Sequence, residues 1–274
     1  MTAAHKKELG LIGLGAFGRL AAWHLRDHFD VRAADVADRS RDAAELGIRW
    51  ASIEEAAACP HVLLAVPVQS FTAVLDAIRD HLQPGSLVLD VASVKLATVA
   101  AMLDRLPDTV EIVGTHPMFG PQSAAAGLAG HRVVVCPVRT GRLDAVVGFL
   151  RDTLGLRVHV CDAETHDRDI AHTQALAQFV GRALAMMAES DSPVRTPGYD
   201  RFREVAGTVG EDSWELFAAI QNLNPYAADM RKELLDHLDE LQRRLAEEHS
   251  RESAEDRRDP DGKGKSRAGA RDSG

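Results

Sequence analysis

The sequence predicts an α/β protein in which a doubly wound, mainly parallel sheet is followed by an all-helical region. Short apolar runs alternate with helical segments up to about residue 163, a glycine-rich turn follows the first run, and strand-like runs stop after about residue 164. Apolar strands that alternate with helices are typical of a parallel sheet covered on both faces. The 274 residues are enough for such a sheet and one further domain.

The first apolar run, residues 9–12, leads straight into the glycine-rich turn, and residues 19–28 form a predicted helix after it. In such a unit the first glycine permits the tight turn, the second lets a pyrophosphate approach the backbone, and the third lets the helix pack closely on the strand. The helix N-terminus offers backbone N–H groups to the phosphates. The turn therefore predicts a Rossmann dinucleotide site, whose candidate residues are Gly13, Gly15, Ala16, Phe17 and Gly18.

The second predicted strand, residues 31–34, ends at Asp35, about the expected 20 residues beyond the glycines. A carboxylate there can accept hydrogen bonds from both ribose hydroxyls and would repel a 2′-phosphate. The sequence therefore favours NAD as the cofactor. Arg39 and Arg41 follow closely and weaken that preference, so NADP stays open.

Three further strands are predicted over residues 62–66, 86–91 and 110–113. The candidate site residues at or just after their ends are Val66, Pro67, Ser93 and His116. Ligands of doubly wound sheets bind at the carboxyl ends of the strands, near the point where the strand order reverses. We therefore expect these residues to line one crevice with the glycine-rich turn.

His116 lies in a segment, residues 114–121, whose two prolines and two glycines predict a sharply shaped loop at the strand end. By residue type alone the histidine could be a general base, a metal ligand or a polar loop residue. Its predicted place beside the dinucleotide turn favours a base that accepts or polarises a substrate hydroxyl proton during hydride transfer. Ser93 is either a hydrogen-bonding partner in that reaction or the N-cap of the next helix.

The second half of the chain is helical after two later predicted strands, residues 132–136 and 158–161. Its long apolar-sided helices are more than a minimal domain needs, which suggests burial against a second copy in a homodimer. The last residues carry almost no apolar side chains, which predicts disorder. The predicted domains are a dinucleotide-binding domain at 1–163, a helical substrate and dimerisation domain at 164–248, and a disordered polar tail at 249–274.

The composition argues against several classes of partner and location. The net charge of -9 is spread along the chain, which argues against nucleic acid or an anionic membrane as a partner. No apolar run approaches the roughly 20 residues of a membrane span, and no signal-peptide apolar region is present. Cys59, Cys136 and Cys161 lack metal-ligand spacing and are typical of a reducing compartment. We therefore expect a cytoplasmic protein without a metal site.

Several segments together resemble the prephenate/arogenate dehydrogenase family over roughly residues 8–245. They are the turn at 13–18, Asp90-Val91-Ala92-Ser93-Val94-Lys95, the loop from Gly114 to Pro121, His166-Asp167 and Gln174-Ala175-Leu176. The resemblance implies oxidative decarboxylation of a cyclohexadienyl substrate, prephenate or arogenate, to 4-hydroxyphenylpyruvate or tyrosine plus CO2. Hydride passes from ring C4 to NAD while the ring carboxylate leaves. It also implies a dimerising helical domain, His116 as the residue that polarises the ring 4-hydroxyl, and Ser93 as its hydrogen-bonding partner.

The chain departs from the pattern of that family where the rest of the substrate would bind. Members that use prephenate often carry a histidine in the first helix of the second domain, where this chain has Ala175 and Gln178. Gln122 replaces an acidic residue. Asp200 follows Tyr199 where an arginine that grips the ring carboxylate is expected. Fewer fixed positive charges suit a substrate with an amine, such as arogenate or 4-amino-4-deoxyprephenate. The candidate substrate-binding residues are His116, Gln122, Gln174, Gln178, Tyr199 and Arg201.

Two other classes of protein share part of this layout. Related two-domain dehydrogenases act on small β-hydroxy acids, but they depend on a lysine in the first helix of the second domain, and residues 166–189 contain none. A non-catalytic regulator that senses redox state through NAD has no need of Ser93 and His116 at matched strand ends. Both classes stay as less favoured alternatives.

Overall fold

The computed structural model describes residues 6–187, 193–210 and 212–258 of the chain. This described part contains an eight-stranded sheet with the order β3-β2-β1-β4-β5-β6-β7-β8. Strands β1 to β6 are parallel, β7 is antiparallel to β6, and β8 is parallel to β7. The strands are β1 (Lys7–Ile12), β2 (Phe29–Ala34), β3 (Arg49–Trp50), β4 (His61–Leu64), β5 (Leu87–Asp90), β6 (Glu111–Pro117), β7 (Arg132–Arg139) and β8 (Arg157–Val160).

Helices connect and cover the strands, and further helices follow the sheet. They are α1 (Ala16–Leu25), α2 (Ser40–Leu46), α3 (Ile53–Ala57), α4 (Val68–Ile78), α5 (Leu96–Arg105), α6 (Leu143–Gly148), α7 (Ala163–Ile170), α8 (Leu176–Met186), α9 (Pro197–Gly210), α10 (Trp214–Leu223) and α11 (Ala227–Arg258). One π-helical turn, Phe149–Thr153, extends α6, and another, Ala171–Ala175, joins α7 to α8. The predicted fold class, a mainly parallel doubly wound sheet followed by helices, is confirmed. Among the described residues, no helix is both long and apolar enough to cross a membrane.

Both faces of the sheet are buried, because the central strands are nearly continuous apolar runs and successive side chains of a strand point to opposite faces. On one face Val62, Val88 and Ile112 pack in a cluster with side chains of α4 and α5. On the other face Leu11 packs with side chains of α1 and α2, and Val113 packs toward α6. Strand β1 lies between β2 and β4, so the strand order reverses there. Ligands of such sheets bind outside the carboxyl ends of the strands at this reversal.

Strand β6 corrects the prediction of a loop from Gly114 onward. The strand continues through His116 to Pro117, and these residues pair with Val134 and Val133 of β7. The antiparallel partner supplies hydrogen bonds beyond Asp90, where β5 ends. Pro117 is tolerated because it is the last residue of the strand and lacks only a backbone donor. His116 is therefore held by a strand pair rather than by a loop.

The helical half differs from the prediction in two places. The single helix predicted over 166–189 is α7, a π-helical turn and α8, and residues 188–189 lie outside the described residues. Helix α11 runs to Arg258, so the tail prediction is wrong for 249–258, where Glu, Arg and Ala favour helix. The rest of the predicted tail, residues 259–274, lies outside the described residues.

The chain divides into two compact units, residues 1–228 and 229–274, so the domain boundary at 163/164 stays a prediction.

Candidate active site

The glycine-rich turn combines two tightly packed glycines with one open position. Gly13 has φ +97, and a Cβ there would lie 2.3 Å from the Ala65 carbonyl oxygen. A Cβ on Gly18 would lie 2.0 Å from the Gly13 oxygen, so helix α1 packs directly on the turn. A Cβ on Gly15 would meet no atom within 4 Å. The space over Gly15 and the N-terminus of α1 is therefore open to a ligand, as a pyrophosphate site requires.

Asp35 is fixed against the turn by its own carboxylate. The Leu14 N–H donates to Asp35 Oδ2 at 2.7 Å, and the Ala37 N–H donates to Oδ1 at 3.0 Å. Each oxygen keeps a second lone pair that can accept from a ribose hydroxyl. Arg39 lies 3.5 Å from Asp42, so its guanidinium is already engaged in α2. This arrangement fits NAD better than a 2′-phosphorylated cofactor.

Val66 and Pro67 lie between β4 and α4, next to the same turn. The Val66 Cγ1 would lie 2.9 Å from a Cβ on Gly13, which places its side chain against the turn. Pro67 is exposed and precedes the first residue of α4. The Phe17 ring of the turn lies 6.2 Å from the Phe119 ring, three residues after His116. The cofactor candidates and the His116 strand end therefore adjoin one another.

A buried ion pair lies beneath this edge of the sheet. Lys95 and Asp90 are both fully buried, with 2.5 Å between Nζ and Oδ2. The Lys95 ammonium also donates to the Thr115 carbonyl oxygen at 2.7 Å, and the Thr115 hydroxyl donates to the Asp90 carbonyl oxygen at 2.5 Å. The pair thus connects the end of β5 to the residue before His116. Lys95 is therefore a buried charge with a structural role.

His116 is 2% exposed and carries a hydrogen bond to a second histidine. Its Nδ1 lies 2.9 Å from His166 Nε2. Burial, the main cause, lowers the pKa of His116 well below 6.5, and the positive charge of Lys95 acts in the same direction. A neutral imidazole can accept a proton, whereas an imidazolium cannot. His116 is therefore in the state that a base needs near neutral pH.

Ser93 is half-buried on the segment between β5 and α5. The alternative that it caps α5 is wrong, because α5 begins at Leu96 with Lys95 at the N-cap position. The Asp167 carboxylate takes the capping role from another element: it accepts from the Lys95 N–H at 2.8 Å and from the Leu96 N–H at 2.9 Å. In the described residues no hydrogen bond joins Ser93 to His116, so its part in the reaction stays a prediction.

His166 and Asp167 are the residues that sequence reasoning undervalued. Both are buried in the first turns of α7, and His166 Nδ1 lies 2.7 Å from Asp167 Oδ1. The Asn224 side chain donates to the Asp167 carbonyl oxygen at 2.6 Å. The signal that could have revealed them is a His-Asp pair one turn before apolar Ile170, which places polar groups on the buried face of a helix.

The remaining substrate candidates fall into two groups. Gln178 is buried, its Nε2 donates to Asp212 at 2.9 Å, and its Oε1 has no partner in the described part of the chain. The Oε1 of Gln174, one helical turn earlier, is also buried and has no partner in the described part of the chain. The exposed candidates are Gln122, Tyr199 and Arg201. In the residues that the structure describes, no hydrogen bond links these three to His116, and their roles stay predictions.

Comparison with known proteins gives the family. Residues 21–159, more than half of the chain, match the family described as "Prephenate dehydrogenase, nucleotide-binding domain". Residues 183–257 match "TYRAAT1-like, C-terminal domain". Arogenate dehydrogenase 2, chloroplastic, of Arabidopsis thaliana is 29% identical over 238 residues, which are 83% of this chain and 66% of that protein. The chain spans 66%, 41% and 54% of the length of three curated relatives that it matches.

Two further similarities bear on fold and substrate. The 4-amino-4-deoxyprephenate dehydrogenase of Streptomyces pristinaespiralis is 27% identical over 239 residues, which are 81% of this chain and 79% of that protein. The crystal structure of prephenate dehydrogenase from A. aeolicus in complex with hydroxyphenyl propionate and NAD+ matches with a TM-score of 0.68 and 22% identity. It covers 95% of this chain and 100% of that one, and this likeness shows the fold. From the family match over more than half of its residues, the chain belongs to the prephenate dehydrogenase family.

Proposed function

We propose that the chain catalyses the NAD-dependent oxidative decarboxylation of a cyclohexadienyl substrate. The observation that carries this proposal is the buried, neutral His116 at a strand end that adjoins the open glycine-rich turn through Phe17 and Phe119. A site of this kind brings a proton acceptor to a hydride acceptor. The similarity to arogenate dehydrogenase 2 and the family match support the same reaction.

The residues of the turn fit the cofactor. The backbone at Gly15, Ala16 and Phe17 would hold the pyrophosphate, and Asp35 would hold the adenosine ribose, with Val66 and Pro67 alongside. When bound, NAD supplies the hydride acceptor. Its use is supported by the A. aeolicus complex with NAD+. The Asp35 carboxylate also argues against NADP, and Arg41 is paired with Glu45 at 3.2 Å.

His116 acts on the ring hydroxyl. Its neutral imidazole accepts a hydrogen bond from the 4-hydroxyl and draws the proton away as the ring carbon loses hydride. Loss of the ring carboxylate as CO2 then gives the aromatic ring, and His116 returns the proton to the phenol oxygen. We assign Ser93 to a second hydrogen bond to the same hydroxyl.

The substrate is proposed to carry an amine, as arogenate does. The amide of Gln178 is oriented by Asp212, which leaves its buried oxygen as an acceptor without a partner, and Gln174 has a similar oxygen. Two such acceptors suit an ammonium group better than a second carboxylate. Asp200, by contrast, lies 3.1 Å from Arg195, so its charge is already engaged. The alternative is 4-amino-4-deoxyprephenate, which is supported by the Streptomyces relative.

Turnover of three substrates tests this proposal. We expect NADH formation, followed by its absorbance, from arogenate, prephenate or 4-amino-4-deoxyprephenate. The kcat/KM for an amine-bearing substrate should exceed that for prephenate by roughly tenfold or more, because buried acceptors left unpaired cost transition-state binding. Equal kcat/KM for prephenate would contradict the amine argument. NAD binding without NADH from any of the three would favour a regulator, and turnover of small β-hydroxy acids would favour that class of dehydrogenase.

Replacing Gly15 with alanine separates cofactor binding from folding. The new Cβ occupies open space, so Gly15→Ala should change the free energy of unfolding by less than about 1 kcal/mol. It should weaken NAD binding about tenfold or more, because the methyl group takes the place of the pyrophosphate. Calorimetric titration with NAD and urea unfolding measure the two effects.

Gly18→Ala is the matched control for that change. Its Cβ would collide with the Gly13 oxygen, so the variant should lose roughly 1–3 kcal/mol of stability. Wild-type NAD affinity in Gly15→Ala would contradict the placement of the cofactor.

The assembly and location form part of the same proposal. Helix α11 exposes a stripe of leucines at three- to four-residue spacing, namely Leu235, Leu238, Leu241 and Leu245. Such a stripe suits burial against a second copy, which supports a homodimer through the helical region. A monomer in sedimentation at micromolar concentration would contradict this.

The free cysteines Cys59, Cys136 and Cys161 fit the cytoplasmic location inferred from sequence.

A further inference from the structure

His116, His166 and Asp167 form a continuous chain of hydrogen bonds. Nδ1 of His116 lies 2.9 Å from Nε2 of His166, whose Nδ1 lies 2.7 Å from Oδ1 of Asp167. All three side chains are at most 2% exposed. Two backbone N–H groups at the start of α5 also donate to the Asp167 carboxylate, one to each oxygen. The far end of the chain is therefore anchored to a helix N-terminus.

The positions of the protons follow from that anchor. A carboxylate held by two backbone donors acts as an acceptor, so the ring nitrogen facing it must donate. His166 therefore carries its proton on Nδ1, and in a neutral ring Nε2 is an acceptor. The nitrogen facing that acceptor is Nδ1 of His116, which must carry a proton. Nε2 of His116 is then left as a bare lone pair.

We infer that His166 is a positioning residue which, held by Asp167, fixes His116 in the tautomer with an unprotonated Nε2. This tautomer can accept a proton, whereas the opposite tautomer presents an N–H at the same place. The kinetic consequence rests on the proposed function, but the tautomer itself does not. Tertiary contacts also position His166 and Asp167. The Asn224 side chain donates to the Asp167 carbonyl oxygen, and the Asp167 carboxylate accepts from the first backbone N–H groups of α5.

The ring nitrogens report the tautomer directly. We would label the histidines of the full chain with 15N and record two-bond 1H–15N correlations at neutral pH, assigning His116 by comparison with His116→Asn. The expected pattern for His116 is a pyrrole-type Nδ1 and a pyridine-type Nε2. The reverse pattern, or an imidazolium at His166 that donates to His116, overturns the inference.

Variants at position 166 test the positioning role. In His166→Leu the acceptor is gone, so His116 should shift to a mixture that includes the Nε2–H tautomer, and kcat should fall roughly 100-fold. KM for NAD should stay within about threefold of wild type, since the cofactor residues are untouched. His166→Gln keeps an acceptor oxygen, so most of the His116 population should again be the tautomer with an unprotonated Nε2, and kcat should return close to the wild-type value. His159→Leu, at an exposed histidine of β8, is the control.

The outcomes separate this inference from the proposed function. An unchanged His116 tautomer in His166→Leu overturns the positioning role, as does a His166→Gln variant no better than His166→Leu. If the expected tautomer is found and no cyclohexadienyl substrate is oxidised, the proposed function fails while the proton arrangement stands.

Discussion

His116→Asn is expected to lower kcat for the cyclohexadienyl substrate by roughly 10²- to 10⁴-fold, the usual range for losing a general base. Asparagine has about the size of the part of the imidazole ring closest to the backbone, so the variant should disturb its neighbours little. NAD binding should therefore stay at the wild-type level. The loss should fall on kcat and kcat/KM alike, because the hydrogen bond to the ring hydroxyl strengthens in the transition state. Initial rates of NADH formation measure it, and full turnover by His116→Asn would show that the assigned mechanism is wrong.

The ionisation of His116 leads to a second prediction for the same variant, which concerns how the free energy of unfolding depends on pH. Burial holds the pKa of His116 well below 6.5, so the folded protein binds fewer protons than the unfolded chain as the pH falls below about 6.5. The free energy of unfolding therefore decreases from pH 6.5 downward, and the loss continues until the pH passes the lowered pKa. His116→Asn removes this contribution, so its stability should depend less on pH over that interval. Urea unfolding at several pH values measures the difference, and identical slopes would contradict a depressed pKa.

The local part of this architecture could be predicted from the sequence. The glycine spacing, Asp35 and the ends of β4 and β5, three residues before Pro67 and Ser93, depend on short-range patterns of apolar periodicity and turn chemistry. The glycine-rich turn has the packing that those patterns imply. The extent of β6 could not be predicted in the same way. Its continuation through His116 depends on hydrogen bonds from β7, which begins at Arg132.

The chain of hydrogen bonds through His116, His166 and Asp167 could not be predicted from the sequence, for a different reason. His116 and His166 are 50 residues apart, and their contact depends on how α7 packs against α5. No local pattern encodes that packing. A histidine in the first turns of a helix is equally compatible with capping, packing or solvent exposure, and only the buried carboxylate of Asp167 distinguishes them. The site thus consists of a cofactor half fixed by short-range sequence and a proton-handling half fixed by tertiary contacts.

Lys95→Met is expected to cause the largest loss of stability among single changes near the site. Asp90 is fully buried, and its carboxylate also accepts from the Ala92 N–H at 3.1 Å and the Thr115 N–H at 3.3 Å. Removing the ammonium leaves a buried carboxylate without a counter-charge, which costs about 3–5 kcal/mol. The change also removes the bond to the Thr115 carbonyl oxygen, so the end of β6 should loosen and kcat should fall with stability.

The double variant Asp90→Asn/Lys95→Met shows whether the loss comes from the unpaired charge. With both charges gone, no uncompensated carboxylate is buried, so the double variant should be more stable than Lys95→Met alone. Lys232→Met removes one partner of an exposed pair, Lys232–Asp236 at 2.9 Å, and should leave the urea midpoint unchanged. A Lys95→Met midpoint equal to that of Lys232→Met would mean that the ion pair does not hold this edge of the sheet. A double variant less stable than Lys95→Met would mean that the hydrogen bonds of Asp90, rather than its charge, hold β5 to β6.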